Sequence, residues 1–464
     1  MTGTAAFFDL DRTVLPGGSG PVFAAALERL GVTAPKIPGQ KLFFKAYDVM
    51  GESLVVMRLA KQAARRSAGL KRDDVISAAE DAALILAPLV QPYVATVLDE
   101  HRSRGDVLVL ATTSPYDLVA PLARILGFDH VVATRYTDVD GLYTGEFDGE
   151  FVWGPGKLRA VKQFADDHGI DLAVSSAYSD SVFDYPLLSA VGRAIAVNPD
   201  FRLRTLATLR RWPIRHLDVP PGVPKLAGVE PFDLVRWLVR PEMFPYARFE
   251  FDGLDNIPRN GPAIVAANHR SYFDPVVLGL ALGKMGRNPR MLGKKEVFDA
   301  PIIGPMARAM GGIRVERGTG SAAPLEAAAA ALRAGEVVVI LPQGTIPRGE
   351  AFFDPELTGK TGVARLAAMV PHVPIIPLGL WATEKVWPRN SKVPHVWNVA
   401  DPPVITVCVG APVGRLRRAG AKGRPADPSG DTAKVMKAIM ALLPEESRVL
   451  SEVTEADLVK TRPS

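Results

Sequence analysis

The chain has 464 residues, 47% of them hydrophobic and 23% charged, with a formal net charge of +5. At roughly 150 residues per domain this length suggests two or three domains. The composition is that of a globular chain, and 41 glycines with 40 prolines imply many loops without reaching low complexity. A lone cysteine, Cys408, excludes an internal disulfide framework and a cysteine metal cluster, and fits a reducing cytosol. No apolar run reaches 18 residues, so no membrane-spanning helix is expected. The opening residues Met1 to Thr4 lack the basic region and cleavage site of a secretory signal.

In chain order, the first chemical feature is Phe7-Phe8-Asp9-Leu10-Asp11-Arg12-Thr13, two carboxylates and a hydroxyl directly after a short buried strand. Residues i and i+2 of an extended segment point to the same side. Carboxylates that close repel unless a cation sits between them, and a hard, oxygen-ligated ion such as Mg²⁺ suits the place. A solvated turn is the alternative. Three later stretches favour the site. Val107 to Ser114 is a second buried strand ending in hydroxyls. Gly154-Pro155-Gly156-Lys157 puts a cation at a helix start. Leu172 to Asp184 contains a third strand with acids, Asp180 and Asp184, at its end. Polar groups at strand ends, with helices between, describe a parallel α/β sheet with its site at the carboxyl edge.

Over residues 5–200 this order resembles the haloacid-dehalogenase-like phosphatases, most closely the phosphoserine-phosphatase-like branch. The resemblance implies a Rossmann-like domain with a helical cap over about 17–90. It implies Asp9 as nucleophile forming an aspartyl-phosphate, and Asp11 as the acid that protonates the leaving group and then activates water. Thr112 would hold phosphoryl oxygens, and Lys157 would balance charge. Mg²⁺ would lie among Asp9, Asp11 and Asp180, with Asp184 in support. In phosphoserine phosphatases an acid nine residues after the nucleophile helps hold the substrate ammonium. Here that position is Gly18.

From Phe201 to Leu217 come Arg202, Arg204, Arg210, Arg211 and Arg215 with no acid, interleaved with Leu203, Leu206, Leu209 and Trp212. Pro220-Pro221-Gly222-Val223-Pro224 reads as a stiff linker. Phe232 to Arg240 reads as a short amphipathic helix stopped by Pro241. Arginine and tryptophan on such segments suit an anionic lipid surface, and a core helix with a solvated edge is the other reading.

The second half is organised around Asn268-His269-Arg270-Ser271-Tyr272-Phe273-Asp274, between the apolar run Ala263–Ala267 and a helix opened by Asp274-Pro275. On one helix, positions five apart face ~140° away from each other. A turn can instead fold Asp274 onto the imidazole, leaving one ring nitrogen to act as general base. No serine or cysteine in a nucleophile-elbow context accompanies the pair, so the base would activate a substrate hydroxyl. A surface turn with a capping aspartate is the alternative. Further on, Gly311 to Gly318 reads as a short strand ending at Arg317. Val337 to Pro342 runs into Gln343-Gly344-Thr345-Ile346-Pro347-Arg348, and Val373 to Gly379 is another apolar strand. A glycine loop with a hydroxyl and guanidinium groups suggests a phosphate or carboxylate site beside the base.

Over residues 230–412 these four blocks resemble the glycerolipid acyltransferases, and Lys294-Lys295-Glu296 resembles that family's lysine segment. The resemblance implies acyl transfer from acyl-CoA or acyl carrier protein to a lysophospholipid such as 1-acyl-glycerol-3-phosphate (lysophosphatidic acid). His269 would take the hydroxyl proton and Asp274 would orient it, with Asn268 beside them. Arg317, Gln343, Gly344, Thr345 and Arg348 would form the acceptor site. The third block departs from the family pattern: Gln343 stands where an acid is usual, and Ile346 takes the arginine slot, leaving Arg348 as the next arginine.

The whole therefore resembles actinobacterial fusions of a phosphatase (1–205) and an acyltransferase with a mixed sheet (230–464), joined by a basic, proline-rich linker (206–229). The expected setting is cytoplasmic, peripherally attached to an anionic membrane surface at its inner face, with no nucleic-acid partner. Two alternatives stay open for the first domain: an unrelated small phosphoester, phosphoserine included, or a structural role. The basic stretch Arg415 to Arg424 reads as a solvated tail or a headgroup contact, and residues 431–443 read as a closing helix.

Overall fold

The computed structural model of the chain describes residues 3–31, 61, 64–225, 228–316, 322–414, 427–447 and 453–462. Its contacts divide it into two units, Met1–Pro221 and Gly222–Ser464, each built on a seven-stranded sheet.

In the first unit the strands are β1 (Ala5–Phe8), β2 (Val107–Pro115), β3 (His130–Val139), β4 (Leu142–Asp148), β5 (Ser176–Ser179), β6 (Arg193–Val197) and β7 (Ile214–Arg215), in the order β4-β3-β2-β1-β5-β6-β7. Only the β3–β4 pairing is antiparallel. Ala6, Phe8, Leu108 and Leu110 join one core, while Ala5, Phe7, Val109 and Ala111 join another on the opposite face. Alternation sends successive side chains to opposite faces. Both faces are covered, so the strands are apolar throughout. This is the Rossmann-like α/β sheet that the sequence predicts. Helices Gly20–Arg29 and Arg72–Leu86 lie in the expected cap stretch, whose residues 32–60 are outside the described residues.

The expected linker is corrected at its start. Phe201–Arg210 is a helix that buries Leu203 and Ala207, and β7 pairs parallel with β6. Leu217 and Val219 are buried as well. The arginines obscured this packing, because the few apolar residues that face inward are spread among them.

The second unit contains β8 (Arg248–Asp252), β9 (Ala263–Ala267), β10 (Pro289–Lys294), β11 (Ile313–Val315), β12 (Val337–Ile340), β13 (Ile375–Trp381) and β14 (Val404–Val409), in the order β11-β10-β12-β9-β13-β14-β8. The β13–β14 pairing is antiparallel and the others are parallel, so the sheet is mixed. Ala263, Val265 and Ala267 face one core, Ile264 and Ala266 the other. The closing helix spans Pro428–Met440, and the basic stretch 415–424 is outside the described residues. Among the described residues no single helix is long and apolar enough to cross a membrane. One pair bent by 97°, Arg72–Leu89 with Val94–Arg104, passes on length and composition alone. Much of its apolar surface, from Ala78 to Leu98, is buried in the first unit's core.

Candidate active sites

In the first unit the polar residues gather where parallel strands end. Asp9 follows β1, and its amide donates to the carbonyl of Tyr178 on neighbouring β5 at 2.9 Å. Asp180 follows β5, and Thr112, 2% exposed, stands near the end of β2. Lys157 is on the first turn of the helix Pro155–His168, which packs Gly156 so tightly that a Cβ there would lie 2.3 Å from the Phe151 carbonyl oxygen. Only glycine lets the helix start approach this closely. Lys157, 1% exposed, donates from Nζ to Asp9 Oδ1 at 2.8 Å and to Asp184 Oδ2 at 2.6 Å. Ser179 Oγ adds a 2.7 Å bond to the same Asp184 oxygen. Breaking such a buried ion pair by removing one partner typically costs about 3–5 kcal/mol, so this cluster is firmly fixed.

The expected metal set is met differently. Asp11 Oδ1 accepts a 2.7 Å hydrogen bond from the Ser19 amide. Asp180 Oδ2 instead meets Arg12 Nε at 2.9 Å. Among the described residues no group of three or more His, Cys, Asp or Glu side chains is placed to hold a metal ion. The donor chemistry still fits Mg²⁺, which is commonly held by one or two carboxylates with water and substrate oxygens completing its shell. Charge argues the same way. The buried carboxylates Asp9, Asp180 and Asp184 face two side-chain cations, Lys157 and Arg12, before any anionic substrate arrives. Arg12, held in the left-handed region at φ 61°, escaped sequence reasoning although it sits inside the motif.

In the second unit the turn after β9 brings His269 and Asp274 together, with Nδ1 2.7 Å from Oδ2. Asp274 is fully buried. Its Oδ2 also accepts from the amides of Arg270 (2.7 Å) and Ser271 (2.9 Å), and its Oδ1 accepts from Thr383 Oγ1 (2.6 Å). Four donors thus satisfy a carboxylate that would otherwise be costly to bury. Nε2 of His269 makes no hydrogen bond within the described residues, and the side chain is 15% exposed. Asn268 locks the turn to β13 by exchanging hydrogen bonds with the Leu380 main chain at 2.9 and 2.7 Å.

The third block also meets the base. Gln343 Oε1 accepts from the His269 amide at 2.7 Å, so this side chain positions the base's backbone. Gly344 adopts φ 71°, and the Lys360 side chain runs alongside it. Lys294 Nζ reaches Thr345 Oγ1 at 3.4 Å. Arg348 is exposed, and Arg317 lies outside the described residues. Nearby Arg389, 5% exposed, donates to the Ile346 carbonyl. Burial, then the charge of Arg348, pulls its pKa down from the usual arginine value. Arg270 pairs with Glu384 at 3.0 Å and stacks on Phe352 and Trp381, 4.4 and 4.3 Å from their ring centroids. Thr383, Lys360 and Arg389 lie too far along the chain from His269 for local spacing to reveal them.

Residues 6–189 match the family described as haloacid dehalogenase-like hydrolase. A protein of Streptomyces azureus named inhibition of morphological differentiation protein is 35% identical over 216 residues, 46% of this chain and 77% of that protein. The chain belongs to the haloacid dehalogenase-like hydrolases. A further relative of this hydrolase is the phosphoserine phosphatase SerB1 of Mycobacterium tuberculosis, 36% identical over 226 residues, 46% of this chain and 70% of that one. A crystal structure of a protein of unknown function from Bordetella pertussis Tohama I, 31% identical, covers 47% of this chain and all of its own, at a TM-score of 0.42. Residues 248–381 match the family described as acyltransferase. The hydrolase therefore carries a phosphatase domain and an acyltransferase domain in one chain.

Proposed function

We propose that the acyltransferase domain acylates lysophosphatidic acid to phosphatidic acid, taking the acyl group from acyl-CoA or acyl carrier protein. The observation that carries this reading is the His269–Asp274 pair, with Nε2 left without a partner among the described residues. Asp274 fixes the proton on Nδ1, so Nε2 takes the proton of the acceptor hydroxyl. The hydroxyl oxygen attacks the thioester carbonyl, the C–S bond breaks, and the imidazolium returns its proton to the leaving thiolate. Thr345, Lys294 and Lys360 supply a hydroxyl and two cations for the acceptor phosphate, and the exposed Arg348 adds a guanidinium at the edge. Mass spectrometry of products from a panel of lysophospholipids with acyl-CoA tests this. Turnover of another acceptor class in preference to lysophosphatidic acid refutes the assignment.

The phosphatase domain, in the same proposal, hydrolyses a phosphomonoester. An Asp9 oxygen attacks phosphorus, the bond to the leaving oxygen breaks, and Asp11 protonates that oxygen. Asp11 then takes a proton from the water that releases phosphate. Asp9 and Asp180 would hold Mg²⁺, which supplies positive charge against the phosphoryl oxygens. Lys157 keeps the nucleophile oriented. Hydrolysis of p-nitrophenyl phosphate with and without Mg²⁺ tests this part. Phosphoserine is a second reading, favoured by the relative of that name and disfavoured by Gly18.

Attachment to an anionic membrane face, on the cytoplasmic side, is proposed from the helix Pro231–Leu238. Its Phe232 is buried, while Leu234, Trp237, Leu238 and the nearby Met243 are exposed. Such a face suits insertion at a lipid interface. Co-sedimentation with anionic vesicles at low and high salt checks it, and equal recovery with and without anionic lipid rejects it.

A further inference from the structure

The first unit contains a second cationic feature, away from its carboxylates. A cavity of about 250 Å³ is lined by Arg104, Arg193, Arg211 and Arg215, with Glu100 as the one acid and Trp212 among the apolar walls. Arg193 opens β6, Arg211 precedes β7, Arg215 is the last residue of β7 and pairs with Val197 of β6, and Arg104 ends the helix Val94–Arg104 that leads into β2. The cavity is thus lined from β6, β7 and the helix before β2. Asp9, Thr112 and Asp180 are not among its lining residues.

Two of the four guanidinium groups have acidic neighbours. Arg104 Nε lies 3.2 Å from Asp106, and Arg215 makes a long 3.5 Å contact to exposed Glu100. Exposed pairs of the second kind contribute little, ~0–1 kcal/mol, and an incoming anion can replace Glu100. Arg193 and Arg211 are exposed and make no side-chain ion pair among the described residues. Arg211 occupies the left-handed position that closes the helix Phe201–Arg210, at φ 56°, where glycine is the usual residue. Gly192 lets the β6 entry press against Ala173, whose carbonyl oxygen would lie 1.9 Å from any Cβ there. The tight turn thus sets Arg193 at the rim.

We infer that this cavity binds a small, multiply charged phosphate-bearing anion, a phosphomonoester or a diphosphate. Four arginines against Glu100 and the Asp106 that pairs with Arg104 leave an excess of two positive charges, which suits a doubly charged phosphate better than a single carboxylate. Planar guanidinium forks match phosphate oxygens in pairs. The volume falls just under the ~300–1,000 Å³ of pockets for drug-sized ligands, which suits a headgroup or a small anion over a nucleotide. The apolar wall at Trp212, Val191 and Ile195 accepts the carbon side of a monoester.

Calorimetric titration of pyrophosphate into the full chain, with divalent metal chelated, tests the inference. The double variant Arg193→Ala/Arg211→Gly removes both unpaired cations, and glycine suits the backbone at 211. Losing two charge-assisted contacts should weaken binding at least about tenfold, while Asp9→Asn should leave it unchanged. Vesicles of phosphatidylcholine with and without phosphatidic acid separate the sources. If recovery on phosphatidic acid falls in the double variant, the natural ligand is a lipid headgroup. If only pyrophosphate binding falls, it is a free anion. The inference is overturned if wild type binds neither probe. It is equally overturned if the double variant binds pyrophosphate as wild type does, or if binding is lost in Lys157→Ala and not in the double variant, which puts the anion at the carboxylate edge.

Discussion

Each domain contains a histidine whose Nδ1 lies 2.7 Å from an aspartate five residues further on: His101 with Asp106, and His269 with Asp274. On sequence spacing the two are the same motif, and only their surroundings distinguish them. His101 is 1% exposed and its Nε2 meets the Tyr178 hydroxyl at 2.8 Å, while Asp106 also accepts from Thr4 and Arg104. Phe8 stacks on Tyr178 at 4.4 Å and closes the site. Burial pushes the His101 pKa down, keeping the ring neutral. His269 has a carboxylate partner of the same kind and, among the described residues, no hydrogen bond at Nε2. A histidine–aspartate pair becomes a base only when the second nitrogen is left for a substrate; sealed on both sides, it is a structural strut.

The largest expected effect follows from that contrast. If the His101 pair is only structural, the first domain's chemistry rests on its carboxylates. Asp9→Asn keeps the shape and removes the nucleophile. Phosphatase turnover should fall by about 10⁴-fold or more, with the His101 pair intact and acyl transfer near the wild-type rate. Parallel assays on folded protein check this. Loss of acyl transfer as well would mean that the two domains are coupled.

Next in size is His269→Ala. Loss of a general base should lower acyl transfer by about 10²–10⁴-fold, without change in phosphatase rate. Retained acyl transfer would put the base elsewhere and break the distinction between the two pairs.

A smaller effect is expected at Gln343. Sequence reasoning assigns it to the acceptor, yet its side chain accepts from the His269 amide. Gln343→Ala should therefore lower kcat about tenfold, by the loss of one half-buried hydrogen bond that positions the base. Gln343→Glu keeps an acceptor there and should restore most of the rate. A rise in acceptor KM with kcat unchanged would return Gln343 to the binding role.

The sheets were legible in the sequence because β1, β2, β9 and β12 are apolar runs ending abruptly in polar residues. The carboxyl-edge site in each domain follows from those endings. What was not legible depends on distant partners. Thr383 meets Asp274 across 109 positions, and Arg12 meets Asp180 only once β1 and β5 are paired. The strand Ile214–Arg215 was hidden because an edge strand of two residues has no periodicity to read.

The smallest expected effect is the one that tests the structural role of His101 directly. Its folded pKa lies below the ordinary histidine value because burial disfavours the charged ring. Between the folded and unfolded values the unfolded chain binds the extra proton, so stability rises with pH across that window. The contribution is therefore complete above the unfolded value of about 6.5 and is lost as pH falls through the window below it. Asp106 and Arg104 face the ring from one side and Tyr178 from the other, so protonation would also require the Tyr178 contact to rearrange. His101→Gln retains hydrogen-bonding groups and cannot titrate in this range. Wild type should lose a few degrees more than the variant between pH 7 and 5, since for a unit the size of Met1–Pro221 a 1 kcal/mol change moves the melting temperature by only roughly 2–4 °C. Both activities at pH 7 should stay near wild type in the variant. Melting curves at the two pH values, read beside p-nitrophenyl phosphate hydrolysis, decide the matter. A phosphatase rate that collapses in folded His101→Gln would show that this pair does more than brace the sheet, and the contrast between the two histidines would fail.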